Sequence, residues 1–203
     1  LTYLAGAMVN HQIEKLFFAP AAITYGLEYH LNALDDKVIA YDIRTQQSTN
    51  IFGGYFQSEW TSKLFNVLIG ARLDKHNLLE NPVFVPRINF LYKPTTNLQV
   101  RASYSSGYRA PQAYEEDFHV TQVGGFSLRT RLADNLKPEY SNSFALSADY
   151  YCQIGDNWQG NILLEGFYTI LNDVFAIREL ETDTLTQTLY QERYNASGAT
   201  IAG

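Results

Sequence analysis

Between Leu64 and Tyr150, apolar and polar residues alternate with a period of two through four segments of about ten residues each. In the first, Phe65, Val67, Ile69, Ala71 and Leu73 share one face, and Asn66, Gly70, Arg72 and Asp74 share the other. In the second, from about Val83 to Lys93, Phe84, Ile88, Phe90 and Tyr92 oppose Arg87 and Asn89. A turn at Lys93-Pro94-Thr95-Thr96-Asn97 leads into the third, where Leu98, Val100, Ala102 and Tyr104 oppose Gln99, Arg101, Ser103 and Ser105. The fourth spans about Glu139 to Tyr151, with Phe144, Leu146, Ala148 and Tyr150 against Ser143, Ser147 and Asp149. Weaker candidates run over Thr2 to Val9, Ala21 to Leu31, Asn50 to Glu59, Gly160 to Phe175 and Thr188 to Tyr194. That predicts about nine antiparallel strands with a tenth starting at Thr200. Gly160 to Phe175 is apolar on both faces in places, so alternation does not assign its polar side.

Alternation alone suits two all-β architectures, a soluble sandwich with its apolar face inward and a membrane barrel with that face outward. Connection lengths separate them. The joins at Trp60 to Lys63, Lys93 to Asn97 and Tyr151 to Trp158 are short. Those at Asn32 to Asn50, Lys75 to Pro82, Tyr108 to Pro138 and Ala176 to Thr186 are long and rich in charge. Taken in order they alternate long and short, the parity of an up-and-down outer-membrane barrel with tight turns at one end and loops at the other. Strands of ~9–11 tilted residues suffice to cross a bilayer in that way.

Composition fits this picture. Of 203 residues, 46% are hydrophobic and 14% aromatic, yet no run approaches a transmembrane helix. A net charge of -6 argues against a nucleic-acid partner, which calls for a basic patch. The lone Cys152 excludes an internal disulfide and a cysteine-based zinc site. Trp60, Tyr92, Tyr104, Tyr150, Tyr151 and Trp158 are expected in interfacial girdles. An arginine against lipid at the midplane costs ~2–4 kcal/mol, so Arg72, Arg87 and Arg101, with Asp74, are expected to face a wet lumen.

Four motifs then carry a family resemblance. Gly54-Tyr55-Phe56-Gln57-Ser58-Glu59-Trp60 with Gly70-Ala71-Arg72-Leu73-Asp74-Lys75-His76 resembles a paired hairpin of TonB-dependent outer-membrane receptors. Pro86-Arg87 with Tyr92-Lys93-Pro94 resembles the strand and turn that follow. Arg101 to Pro111, reading R-A-S-Y-S-S-G-Y-R-A-P, and Asn135-Leu136-Lys137-Pro138-Glu139-Tyr140-Ser141 complete the series in order. The resemblance is strong from about Ile51 to Tyr150, looser to Gly203 and weak before Thr24. It implies part of a larger barrel, roughly 22-stranded and closed by an upstream plug domain. It further implies active import of a scarce nutrient, such as siderophore-bound iron, haem, cobalamin or a glycan. The partners implied are TonB with its inner-membrane energising complex, the nutrient ligand and outer-membrane lipid, with a capping surface lipoprotein left open. The implied location is the outer membrane of a Gram-negative bacterium, and no cofactor is implied. An open run of strands with two bare edges is expected to aggregate rather than fold alone.

Ligand-binding candidates lie in the long 108–138 connection. Arg109, beside Ala110-Pro111, either lines a ligand vestibule or pairs with a lumen carboxylate such as Glu139. Tyr108 and Tyr114 are candidates for stacking on a ligand. Within Tyr114 to His119, Glu116, Asp117 and His119 offer oxygen and imidazole donors, but the spacing matches no metal signature, and a solvated acidic loop is the favoured reading. Asn195-Ala196-Ser197 is read as a turn. No nucleophile elbow, zinc-helix motif or P-loop is present, and the four histidines are scattered, so an enzymatic reading has no constellation to rest on. A passive porin-type barrel and a soluble sandwich binding module remain the alternatives to a receptor.

Overall fold

The computed structural model describes residues 1–38, 43–112, 122–123, 126–155, 157–185 and 188–203. Its elements among these residues are all strands. Nine of them form one antiparallel sheet: β1 (Thr2–Leu16), β2 (Ala19–Val38), β3 (Ile43–Thr61), β4 (Phe65–His76), β5 (Val83–Tyr92), β6 (Leu98–Arg109), β9 (Glu139–Ile154), β10 (Trp158–Asn172) and β13 (Ala199–Ala202). Each pairs with its predecessor in that order, giving an up-and-down wall. The remaining four, β7 (Gln122–Val123), β8 (Phe126–Leu132), β11 (Phe175–Asp183) and β12 (Thr188–Asn195), form a separate small sheet in the order β11-β12-β8-β7.

The faces predicted for Phe65 to Asp74, Phe84 to Tyr92, Leu98 to Ser105 and Ser143 to Tyr150 hold. Tyr25, Phe56 and Ala71 fall in one register row, as do Leu27, Gly54, Leu73 and Phe84. Ile69, Ile88, Tyr104 and Phe144 continue the same apolar face across the sheet. Nothing covers that face among the described residues: Phe84 is 63% exposed and Leu164 74%. A sandwich would have buried those side chains at about 1.5–3 kcal/mol each; here the sheet is a single layer whose apolar side is open to lipid.

Near the tight-turn end, Phe17, Phe18, Trp60 and Phe65 form an aromatic cluster, with Phe18 and Trp60 centroids 5.9 Å apart and Phe18 and Phe65 5.7 Å apart. Tyr92 pairs with Phe65 at the same level. These are girdle positions. Two other expected girdle residues sit elsewhere. Tyr104 lies at mid-height and donates its hydroxyl to Asn142 Oδ1 at 2.9 Å, which satisfies a phenol in an apolar band. Tyr151 turns to the polar face and donates to Asp149 Oδ2 at 2.6 Å.

Three expected loops are corrected. Asn32 to Asn50 is chiefly a hairpin, because β2 and β3 stay in register up to Val38↔Ile43, far beyond the length a bilayer requires. Its outer part is tied by Arg44, which grips Asp35 with two hydrogen bonds of 2.8 and 2.7 Å and holds that carboxyl down at about 2. Ala176 to Thr186 contains most of β11, and the 108–138 connection contains β7 and β8. Consequently Thr188 to Tyr194 is not the ninth wall strand. It belongs to the small sheet, and the ninth is β13, which pairs Tyr168↔Ala202 through Leu171↔Ala199.

Candidate functional site

The four residues expected to face the lumen all lie on the polar side of the wall, and two are organised into one cluster. Arg72 on β4 donates from Nε to Asp74 Oδ1 at 2.7 Å and from Nη1 to Glu28 Oε2 of β2 at 2.5 Å. β3 runs between those two strands, and the guanidinium crosses it at Gly53. A Cβ at Gly53 would collide with Asp74 Oδ1 and Arg72 Nη2, so no other residue leaves room for the bridge. Asp74 is 5% exposed and His76 2%. The Leu78 backbone N–H donates to His76 Nδ1 at 3.0 Å, which fixes the neutral ring as acceptor on that nitrogen. Lower down the wall, Arg87 donates to Gln57 across β4. Arg101 is exposed on the same face, in register with Ser147.

Tyr108 departs from its expected face. By alternation it belongs with Ala102 and Tyr104, yet its hydroxyl donates to Asp74 Oδ2 at 3.2 Å and its ring packs on Leu79, Val83, Val85 and Ala110. Pro86 supplies the reason. It has no N–H to offer, and the β5–β6 ladder ends one residue below it at Arg87↔Ser105. Above that point β6 pairs with β9 alone, and its open β5 side lets the Tyr108 side chain reach Asp74 on the polar face. Its phenol therefore supports the loop base and is committed to Asp74.

Arg109 makes the carboxylate pairing foreseen for it. It pairs with Glu139 Oε2 at 3.0 Å, and its guanidinium lies 4.8 Å from the Phe175 ring centroid, at the point where the wall gives way to the small sheet. Glu139 Oε2 also accepts the Phe175 N–H at 2.8 Å. Arg193 approaches the same ring at 5.8 Å; above it, Arg178 stacks on Tyr194 at 5.1 Å and Arg131 on Tyr190 at 4.2 Å. Four arginines are thus held on aromatic faces at the long-loop end of an otherwise acidic chain. A cavity of about 370 Å³ opens beside Arg178, lined also by Lys137, Asp173, Tyr194 and Asn195. Arg109 and Arg178 are also paired with Glu139 and Glu192, which leaves the rings, the guanidinium faces and the Lys137 ammonium as the groups a planar or anionic molecule would meet. Tyr114, Glu116, Asp117 and His119 lie outside the described residues.

Asn195, read from sequence as part of a turn, is the clasp of this region. Its Nδ2 donates to Lys137 O at 3.0 Å and Asp173 O at 2.7 Å, and its Oδ1 accepts from Lys137 N at 2.7 Å. At about 0.5–1.5 kcal/mol for each bond, Asn195→Ala should speed proteolytic cleavage of the 126–138 segment in the intact protein while leaving the wall strands protected. Neither Asn195 nor Phe175 stands out in sequence, since their partners lie on other segments. Glu28 was recoverable: it shares the even positions of β2 with Thr24 and Gly26, opposite Leu27.

A family model described as the TonB dependent receptor-like β-barrel matches residues 5–203. The iron-regulated outer membrane virulence protein of Vibrio cholerae serotype O1 (strain ATCC 39315 / El Tor Inaba N16961) is 31% identical over 130 residues, which cover 63% of this chain and 20% of that protein. Among solved structures, the siderophore receptor PirA from Pseudomonas aeruginosa superposes with a TM-score of 0.77 at 18% identity, over 100% of this chain and 38% of its own. PirA from Acinetobacter baumannii gives 0.72 at 18% identity, over 100% of this chain and 33% of its own. The chain therefore spans about a fifth of the curated relative and about a third of the solved receptors.

Proposed function

The chain belongs to the TonB-dependent receptor-like β-barrel family of the outer membrane, and we propose that it forms wall and extracellular mouth of a receptor that imports siderophore-bound iron. The observation that carries this reading is the set of arginines seated on Phe175, Tyr190 and Tyr194 at the extracellular end. Ferric chelates are bulky, flat-faced and commonly anionic, and guanidinium groups backed by rings meet both properties at once. The similarity to an iron-regulated outer-membrane protein supports iron over cobalamin or a glycan as cargo. Transport is energised by TonB acting through a plug domain elsewhere in the protein. Within this segment, Arg109 and the Arg178 cavity contact the ligand, with Tyr114, Glu116, Asp117 and His119 as further loop contacts. Arg87 and Arg101 keep the lumen wet.

The test is uptake of radiolabelled iron by cells carrying the full-length receptor or its deletion, supplied with ferric siderophores one at a time. Uptake should depend on the receptor for at least one chelate and vanish when TonB is deleted. Uptake that survives TonB loss would make the protein a passive barrel. Receptor-dependent growth on cobalamin or a glycan alone would replace iron as cargo.

A further inference from the structure

The lipid-facing side of the wall is not a uniform surface. A groove of about 700 Å³ is sunk into it across β1 to β5, and its lining is almost wholly apolar. Its floor is formed where Ala7, Gly54 and Ala71 present one side-chain carbon or none; Leu27, Phe56, Leu73 and Phe84 stand around them. Gly54 is what keeps it open. A Cβ there would meet only Leu27 Cδ2 at 3.3 Å and the Gly26 carbonyl at 4.0 Å, so the backbone has room for a larger residue.

The height of the groove identifies its occupant. Leu27, Gly54, Leu73 and Phe84 form one register row. The next outward-facing row toward the loops holds Tyr29, Phe52 and Lys75, with the Tyr3 ring tilted against Tyr29 at 6.4 Å. That row is an aromatic rim, where lipid head groups lie. Lys75 places its ammonium against the carbonyl oxygens of Leu79 and Glu80, in the middle of the β4–β5 connection, which brings a positive charge to the rim. The opposite rim, at Trp60 and Phe65, lies several residues farther down. The groove thus opens beneath the extracellular interface, is continuous with the protein–lipid boundary and has Lys75 two residues beyond Leu73 on the loop side. We propose that it is a lipid site, holding one acyl chain of a phosphorylated outer-leaflet lipid whose head group meets Lys75. An acyl chain in a preformed slot gains contact on several sides, whereas a chain on the flat band gains it on one.

The proposal requires the outer-membrane barrel but not any particular cargo. Its test places a photoreactive benzophenone side chain at Leu73 of the full-length receptor in living cells, with the same probe at Leu146, an ordinary lipid-facing position on β9, as control. After irradiation, mass spectrometry of the probe-bearing peptides should find phosphorylated lipid on the Leu73 probe several-fold above the Leu146 probe. Gly54→Leu, which fills the groove, should bring Leu73 capture down to the control level. Ala71→Ile fills it from the neighbouring strand and replaces Gly54→Leu if that variant loses its heat-modifiable folded band. Equal capture at both positions, unchanged by filling, would leave only ordinary surrounding lipid and overturn the proposal. Capture of a polypeptide instead would make the groove a protein interface and overturn it as well.

Discussion

Ile88→Arg in the full-length receptor should cost the barrel about 2–4 kcal/mol, the penalty for arginine on a lipid-facing strand position at the bilayer midplane. Ile88 sits at the middle of β5, in register with Ile69 and Tyr104, and is 44% exposed on the apolar face. Its neighbour Asn89 points to the other side, between Leu68 and Ser103. Asn89→Arg adds the same charge and bulk within one residue of the same site, yet should change stability by less than about 1 kcal/mol, because the lumen face is wet. Urea unfolding of the receptor refolded in lipid vesicles measures both. The contrast between adjacent positions matters more than either value. A soluble sheet whose apolar face packs on protein would also reject arginine at Ile88, but it would fold without lipid, whereas this wall should show the contrast only when inserted.

That the contrast can be stated residue by residue reflects how much of the wall is written locally. Alternation depends only on the backbone pleat, so Phe65 to Asp74 or Leu98 to Ser105 declare their faces without knowledge of any partner. The same logic extends to the charges of the polar face: Arg72, Asp74, Arg87 and Arg101 all fall where period two puts them. It fails where the pleat is interrupted or where pairing leaves the wall. Tyr108 follows the alternation in sequence and breaks it in space, because Pro86 ends the ladder that would have held it. Thr188 to Tyr194 is a strand by pattern, but its neighbours are β11 and, in parallel, β8, a crossing that no local period encodes. The arginine–aromatic contacts of the mouth depend on that pairing, which is why Arg109 alone among the stacked arginines was legible beforehand. Asp74 was legible as a polar-face residue, but the hub it forms with Arg72 across β2, β4 and β6 was not, since Glu28 lies 44 residues from Arg72 and Tyr108 lies 34 from Asp74.

That hub sets the second large effect. Arg72→Ala removes the one cation shared by Glu28 and Asp74, leaving two carboxylates on the polar face with only Tyr108 to donate to Asp74. Breaking a fully buried ion pair from one side costs about 3–5 kcal/mol. Arg72 and Glu28 side chains are 29% and 31% exposed, against 7% for Asp74, so water screens part of the loss and about 2–3 kcal/mol is expected in the same urea assay. Asp74→Asn should cost less, because the amide oxygen still accepts from Tyr108 and no unpaired charge is left behind. If the cost of Arg72→Ala is chiefly the orphaned carboxylates, then adding Asp74→Asn should restore part of the stability rather than deepen the loss, a coupling of opposite sign to simple contact removal. Additive losses would mean that Arg72 acts by packing over Gly53 alone. The same pair of variants bears on the mouth, because Tyr108 and Arg109 are adjacent and Tyr108 is anchored to Asp74. Loss of the anchor should weaken ligand capture by the full receptor more than loss of the outer Asp35–Arg44 pair, which stabilises only its own hairpin.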